Sequence, residues 1–191
     1  MTNKLTSSIG EGGEVIGFIN PLKLLPLFEL SEGMQVADFG SGTGYFSILT
    51  AKKIGSSGRV VAIDVQESFL EAVRSRARLE NLFNLQTTRA NLEVPHSTRL
   101  ADGSQDRVYI HNVLFQSDKK EDVFQEAFRI LKSGGKIILI DWIPEKYPSD
   151  RSQVHLFSKA EAKNLLEKMG FTIEKDFVAG AYHYGLIAKK T

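Results

Sequence analysis

The residues best suited to chemistry lie in one short segment, where three glycines alternate directly after an apolar run. The segment Gly40-Ser41-Gly42-Thr43-Gly44 follows Met34–Phe39. Glycine adopts positive φ angles and has no Cβ, so its backbone can approach a bound ligand closely. The pattern predicts a ligand-binding loop between a strand and a helix. The alternative is a tight strand-to-helix turn that binds nothing.

Two carboxylates accompany this loop. Asp38 precedes Gly40 by two residues, and Asp64 ends the apolar run Arg59–Asp64, 20 residues after Gly44. A carboxylate at the end of the second strand can accept hydrogen bonds from the ribose hydroxyls of a nucleoside ligand. The alternative role of Asp64 is to cap the helix predicted near Gln66.

Two common nucleotide-binding motifs do not match. The dinucleotide motif G-x-G-x-x-G and the phosphate loop G-x-x-x-x-G-K-[ST] both require glycine at position 45, which is Tyr45. The mismatch argues against a nicotinamide-dependent oxidoreductase, which is the alternative from a different enzyme class.

The surrounding segments alternate between strand-like and helix-like patterns. Such alternation with short loops predicts an α/β doubly wound sheet, mostly parallel, with helices on both faces and a C-terminal antiparallel hairpin. Helices are predicted at Phe46–Ile54, Glu67–Asn81, 119–131 and from Ser158 to Met169, with capping-box spacing at Asp118/Glu121 and Ser158/Glu161. The predicted strands are Met34–Phe39, Arg59–Asp64, Leu85–Arg89, Arg107–Ile110, Lys136–Ile140, Phe171–Val178 and Tyr182–Ala188.

Two domain-level segments are predicted. Residues 1–30 form an N-terminal arm and a short helix, Pro21–Leu30, that covers the site and contributes Phe18 or Asn20 to it. The alternative for this segment is an ordinary packed leader helix. Residues 31–191 form a single domain, since 191 residues fit one domain.

Ligands of doubly wound sheets bind beyond the carboxyl ends of the strands. This edge includes two candidate general bases, His111 after the fourth strand and Asp141 after the fifth. His111 suits a base because histidine titrates near neutral pH, and it could instead bond the cofactor. Asp141 could instead cap a loop. Asn112 and Trp142 are candidate substrate contacts, and Trp142 could instead cover the sheet edge.

The composition argues against several further classes of protein and kinds of site. The 24 Lys+Arg and 23 Asp+Glu give a net charge of +1, which argues against a dedicated nucleic-acid or membrane-surface binder. The chain has no cysteine, and its four histidines have no metal-ligand spacing, so we expect no disulfide, thiolate or metal site. The first apolar cluster, Ile16–Leu30, is interrupted by Pro21 and Pro26 and predicts no membrane span. A cytoplasmic protein is the expectation.

Four segments, in order and spacing, resemble motifs of the class I S-adenosylmethionine-dependent methyltransferases, whose fold is a Rossmann-like sheet of about seven strands. The resemblance covers about Val36 to Ile140, more than half of the chain. The segments are Val36–Gly44, Val60–Asp64, Asp102–Val108 followed by Leu114, and Glu126–Lys136.

The resemblance implies a role for each matching residue. Asp38 would help to hold the methionine ammonium, and the backbone of the loop from Gly40 to Gly44, including Ser41 and Thr43, would line the methionine and ribose. Asp64 would accept from the ribose hydroxyls, with Val65 against the adenine.

Past the third strand the family usually has an acid that accepts from the adenine amino group. This sequence has Asn91 there, followed by Leu92, and the asparagine carbonyl oxygen can also accept. His111 would lie near the methionine end.

The resemblance implies methyl transfer from S-adenosylmethionine by in-line displacement. A small-molecule acceptor is favoured because the fourth-strand and Glu126–Gly135 regions look most like the quinone and small-metabolite branch. A protein or RNA methyltransferase with an open site is the main alternative, and a non-catalytic cofactor-binding module is another. Arsenic methyltransferases need cysteines, which are absent here. A monomer or homodimer is expected.

Overall fold

Seven strands form one sheet in the computed structural model, which describes residues 19–147 and 154–191. The strand order is β3-β2-β1-β4-β5-β7-β6, in which β7 runs antiparallel to β5 and β6 and the other pairs are parallel. The predicted sheet class and the terminal hairpin are therefore confirmed. The strands are β1 Gln35–Phe39, β2 Arg59–Asp64, β3 Leu85–Arg89, β4 Gln105–His111, β5 Leu131–Trp142, β6 Phe171–Val178 and β7 His183–Lys190.

Helices cover both faces of the sheet. They are α1 Pro21–Leu24, α2 Tyr45–Ile54, α3 Glu67–Leu79, α4 Lys120–Ile130 and α5 Lys159–Lys168, with 3₁₀ turns at Leu25–Phe28, Leu114–Gln116 and Pro144–Lys146. Alternate residues of the central strands point to opposite faces, so the sheet has two buried cores. One contains Val123, Phe124 and Leu166 of α4 and α5, and the other contains Leu24, Phe28, Ile48 and Val73 from the opposite side.

The N-terminal helix is shorter than expected. Asn20 caps α1 by accepting from the backbone N–H of Leu22 at 3.1 Å, and the chain then tightens into the 3₁₀ turn Leu25–Phe28. A proline in the first turn of each piece fits both starts, because that turn does not need its N–H. Phe18 lies outside the described residues.

The start of α4 corrects one prediction. The helix begins at Lys120 with no side-chain cap, so the capping box expected at Asp118 and Glu121 is wrong. The Glu93 carboxylate instead accepts from the backbone N–H of Asp118 at 2.8 Å and of Lys119 at 3.3 Å. The residues before α4 are therefore held by a carboxylate from a distant loop, which local spacing does not reveal. The second capping box, Ser158 with Glu161, is confirmed.

The junction after α4 is also tighter than predicted. Leu131 has extended backbone angles (φ −71°, ψ 137°) and pairs with Gln105, so it begins β5 and does not end the helix. Gly134 lies within this strand at φ +75°. Leu131 fits the apolar spacing of α4 because it is buried beside that helix. A buried position has an apolar residue in a helix and in a strand alike, so the spacing does not distinguish the two.

The register brings the functional edge together. Phe39 at the end of β1 is level with Ile63 of β2 and Ile110 of β4. The chain runs outward from β1 to β2 and β3, then returns to add β4 on the other side, so β1 and β4 mark the switch point. Ligands of doubly wound sheets bind in this crevice.

Candidate functional site

An open cleft of about 1360 Å³ lies over the carboxyl ends of β1, β2 and β4. The lining residues fall into two groups. The segments after β1, β2 and β3, here called the glycine-loop side, contribute Gly40, Ser41, Gly42, Asp64, Val65, Gln66, Asn91, Leu92 and Glu93. The N-terminal segment, α2, the end of β4 with the loop after it, and the C-terminal hairpin, here together called the other side, contribute Asn20, Leu22, Leu24, Phe46, His111, Asn112, Val113, Val178 and Gly180.

The glycine loop has the conformation that its composition predicted. Gly40, Gly42 and Gly44 have φ angles of 69°, 50° and 79°. The backbone N–H groups of Gly40 and Ser41 both donate to the carbonyl of Ile63, at 2.8 and 3.0 Å. These bonds fix the loop over the end of β2, and L-residues with a Cβ rarely adopt such angles.

Asp64 connects the loop to the next helix. One carboxylate oxygen accepts from Gly42 N–H at 3.0 Å, and the other accepts from Gln66 N–H at 2.9 Å, just before α3. The second bond holds the residue before α3, but it does not cap the helix, which has no side-chain cap. Each carboxylate oxygen retains a further lone pair, so Asp64 can still accept from a ligand that enters the cleft.

Asp38 lies behind the loop and outside the set of cleft-lining residues. It is 2% exposed and accepts a 2.5 Å hydrogen bond from Ser47 Oγ of α2. Burial raises the pKa of Asp38 to about 7, and the nearby Asp64 adds to this, while the Ser47 hydrogen bond opposes it. Its contact is with α2, so its visible effect is to hold the helix that follows the loop.

His111 is the most desolvated titratable group of the cleft. Its ring lies 4.2 Å from that of Phe46 and 5.2 Å from that of Tyr109, and both of its nitrogens are buried without a partner among the described residues. Burial lowers the pKa of His111 to about 3. The imidazole is therefore neutral near pH 7, and such a weak base argues against the general-base role considered for it.

The loop after β4 places Asn112 in the cleft. Asn112 has φ 54°, a left-handed angle that asparagine tolerates better than most residues, and its Oδ1 atom has no partner among the described residues. Asn91 also lines the cleft, but its Oδ1 accepts from Glu93 N–H at 3.0 Å. The Asn91 side chain is thus already used in part by its own loop.

Besides Asp38, four predicted site residues lie outside the cleft lining: Thr43, Gly44, Asp141 and Trp142. Asp141 is fully buried and accepts from the backbone N–H groups of Leu114 and Trp142, at 2.9 and 2.7 Å. Burial raises the pKa of Asp141 to about 7. Trp142 packs on His183 of the paired strand β7, with ring centroids 4.0 Å apart.

Several cleft residues were missed from the sequence. Glu93 follows the third strand, and its position beyond a strand end was the available signal. Phe46 was included in a predicted helix, without a sign of which face it would show. Val178 and Gly180 come from the C-terminal hairpin, and no local sequence pattern placed this hairpin beside the cleft.

The strand order, the reversed last pair and the glycine loop at the switch point define the Rossmann-like fold of the class I methyltransferases. Residues 30–176 match the family model described as a methyltransferase domain. The chain belongs to this family.

Curated relatives agree with this membership. The chain is 29% identical to the ubiquinone/menaquinone biosynthesis C-methyltransferase UbiE of Hydrogenovibrio crunogenus over 161 residues, which cover 84% of this chain and 60% of that protein. It is 31% identical to an arsenite methyltransferase of Aquipseudomonas alcaligenes over 125 residues, which cover 63% of this chain and 36% of that protein. The chain thus spans 60% or less of the length of these two relatives.

Solved structures share the fold over the whole sheet. An S-adenosylmethionine-dependent methyltransferase from Aquifex aeolicus superposes with a TM-score of 0.79 at 25% identity, covering 91% of each chain. A geranyl diphosphate C-methyltransferase from Streptomyces coelicolor has a TM-score of 0.74 at 17% identity, covering 89% of this chain and 78% of that one. The second likeness is one of fold alone.

Within residues 19–147 and 154–191, no cluster of three or more His, Asp or Glu side chains could hold a metal ion. In the same part of the chain, no helix has the length and apolar character needed to cross a membrane.

Proposed function

We propose that this chain transfers a methyl group from S-adenosylmethionine to a small-molecule acceptor. One observation carries the proposal. The glycine loop and the Asp64 carboxylate are joined by the Gly42 N–H bond and border one open cleft at the switch point of a methyltransferase domain. A carboxylate beside a glycine-rich turn suits a ribose next to a closely approaching backbone.

The residues of the cleft fit this cofactor. Ser41 Oγ and Asn112 Oδ1 are buried polar atoms without partners in the described part of the chain, and buried polar atoms need hydrogen bonds. Asp64 would accept from the ribose hydroxyls. Val65 is half exposed and would lie against the adenine, with Leu92 on the same side of the cleft. The cofactor supplies an electrophilic methyl group on its sulfonium.

The other side of the cleft would receive the acceptor. Leu24, Phe46 and Val178 provide apolar surface there, and the neutral His111 adds hydrogen-bonding capacity without charge. An apolar wall excludes water while the acceptor atom is held in line with the methyl carbon. Asn20 also borders this side, with Oδ1 bonded to its own helix, and Phe18 would join it from the preceding segment.

An uncharged organic acceptor fits this surface better than arsenite does. Soft thiolate ligands suit a soft metalloid, and the chain has no cysteine. A protein or RNA acceptor is the second candidate, because the cleft is open to solvent at its mouth. The cytoplasmic location, the monomeric or homodimeric state and the role of residues 1–30 as a cover stay predictions from the sequence.

Titration calorimetry with S-adenosylhomocysteine, and with NAD in parallel, tests the cofactor. We expect micromolar binding of S-adenosylhomocysteine and none of NAD. Binding of NAD alone would reinstate an oxidoreductase. Binding of S-adenosylhomocysteine without turnover on any hydroxylated, phenolic or enolic compound in a broad set would favour the macromolecular acceptor, which a labelled-methyl transfer assay on protein and RNA then checks.

A further inference from the structure

The segment between β4 and α4, here the β4–α4 loop (residues 112–119), borders the cleft along much of its length. Asn112, Val113, Gln116 and Ser117 all line the cleft. The loop starts with a left-handed residue, Asn112. A left-handed non-glycine residue costs free energy, so contacts elsewhere must hold it in place.

Asp141 stabilises the start of the β4–α4 loop. Its Oδ2 atom accepts from Leu114 N–H at 2.9 Å. Its Oδ1 atom accepts from its neighbour Trp142 at 2.7 Å. A carboxylate that accepts backbone N–H groups at the first turn of a 3₁₀ segment acts as its cap, here from the adjacent strand.

Glu93 stabilises the far end of the β4–α4 loop. Its Oε1 atom accepts from Ser117 Oγ at 2.7 Å and from Asp118 N–H at 2.8 Å. Glu93 itself borders the cleft, whereas Asp141 does not. The β4–α4 loop is therefore tied at both ends by carboxylates from two different segments, and only Asp141 acts entirely from behind.

Val113 links the position of the β4–α4 loop to that of the glycine loop. A Cβ built on Gly40 would lie 2.4 Å from Val113 Cγ2, so the valine packs directly against the glycine loop. Asn112, one residue earlier, lines the cleft, and its Oδ1 has no partner within residues 19–147 and 154–191. A shift of the turn at Leu114 would therefore move both sides of the cleft.

We propose that Asp141 is a positioning residue for methyl transfer: from behind the cleft, its carboxylate fixes the turn at Leu114, so that Val113 supports the glycine loop and Asn112 faces the reacting groups. This proposal rests on the proposed function. It replaces the general-base role, because both carboxylate oxygens already accept backbone N–H groups and the side chain has no exposure to the cleft.

Protonation of Asp141 should weaken its hydrogen bonds to the backbone N–H groups. The charged and titratable groups around it are Lys120 of α4, Tyr184 of β7 and, around Lys120, Glu93, Asp118 and Glu161. Burial raises the pKa of Asp141 to about 7, with Lys120 opposing. A carboxyl group that gains a proton accepts two N–H groups less well than a carboxylate. Cofactor affinity should therefore weaken as the pH falls through about 7.

The test compares Asp141→Asn with Asp106→Asn. Asp106 is a matched control, because it also accepts a backbone N–H, from Gln35 at 2.8 Å, but at the opposite edge of the sheet. We expect Asp141→Asn to raise the dissociation constant of S-adenosylhomocysteine roughly fivefold to tenfold at pH 8, since one charged acceptor is lost. Asp106→Asn should bind like the parent.

The pH profile separates positioning from a merely structural role. The dissociation constant of the parent between pH 5.5 and 8.5 should rise toward low pH more than that of Asp141→Asn. The difference isolates Asp141 from Asp38, whose pKa is also raised to about 7. Equal affinities of the folded Asn variant and the parent at every pH would overturn the role. A parent that binds no S-adenosylhomocysteine would overturn the proposed function, and this role with it.

A second variant covers the case in which Asp141→Asn does not fold. Lys120 is a partly exposed neighbour whose charge favours the carboxylate, so Lys120→Met should move the midpoint of the pH profile upward. An unchanged midpoint would also overturn the proposal.

Discussion

Gly40 and Val113 pack so closely that a Cβ on Gly40 would lie 2.4 Å from Val113 Cγ2. Gly40 belongs to the glycine loop after β1, and Val113 belongs to the loop after β4. Because Gly40 has no side chain, these two separate segments of the cleft can pack directly against each other. Gly40 also has φ 69°, so its residue type is required both by the backbone and by its neighbour.

Gly40→Ala should therefore damage the site more than Gly42→Ala. Gly42 also has a positive φ, 50°, but an added Cβ there would meet nothing within 4 Å. We expect Gly42→Ala to lower the free energy of unfolding by about 1 kcal/mol, the cost of a left-handed alanine. Gly40→Ala should lower the free energy of unfolding by more than this, and it should also weaken S-adenosylhomocysteine binding. Urea unfolding and calorimetry measure both effects.

Val113→Ala provides the control for this pair. Combined with Gly40→Ala, it removes the clashing Cγ2 atom and should restore part of the lost affinity, because the two side chains then no longer overlap. Additive losses in the double variant would contradict the contact.

Asp64→Asn should weaken S-adenosylhomocysteine binding tenfold or more. The carboxylate positions Gly42 and would accept from the ribose, and hydrogen bonds to a charged group contribute about 1.5–3 kcal/mol. Glu71→Gln, an equal change on the exposed face of α3 and away from the cleft, is the matched control. Parent-like affinity of a folded Asp64→Asn variant would show that the ribose site is elsewhere.

Glu126→Ala should be strongly destabilising without acting on the cleft. Glu126 is 2% exposed and pairs with Arg129 at 2.7 Å, while also accepting from Thr98 and from His96 N–H. The substitution leaves the Thr98 hydroxyl, the His96 N–H and one edge of the Arg129 guanidinium without their acceptor, although Arg129 keeps its ion pair with Asp102, so we expect a loss of about 3 kcal/mol. Asp176→Ala, which breaks the exposed pair with Lys163, should cost less than about 1 kcal/mol. Chemical denaturation at pH 7 compares the two.

The buried imidazole of His183 should make the fold sensitive to acid. Burial lowers the pKa of His183 to about 4 from 6.5, so the unfolded chain binds a proton more readily between these values. Stability is therefore lost as the pH falls below 6.5. We expect His183→Phe to retain about 2 kcal/mol more of its stability than the parent on going from pH 7.5 to pH 5.

His155→Gln, which removes an exposed histidine, is the comparison variant. Denaturant midpoints at the two pH values measure the difference. Parallel curves for His183→Phe and the parent would show that the imidazole gains a proton in the folded state as easily as in the unfolded chain.

The sequence alone determined the sheet class, the glycine loop and the acids beside it. These features depend on local rules. Apolar runs predict strands, alternating glycines predict positive φ angles, and strand ends in a doubly wound sheet converge on one edge. Asp64 was identified for this reason, and the structure adds that its carboxylate bonds both to the glycine loop and to the residue before α3.

Only the tertiary structure decided what the other polar residues do. Asp141 and His111 each follow a strand at the same edge, and no local pattern distinguishes them. Packing makes one a buried acceptor for the N–H groups of the β4–α4 loop and leaves the other neutral among aromatic rings. Glu93 holds the residues before α4 for the same reason. Burial and long-range hydrogen bonds depend on which segments meet, and that is settled only when the sheet assembles.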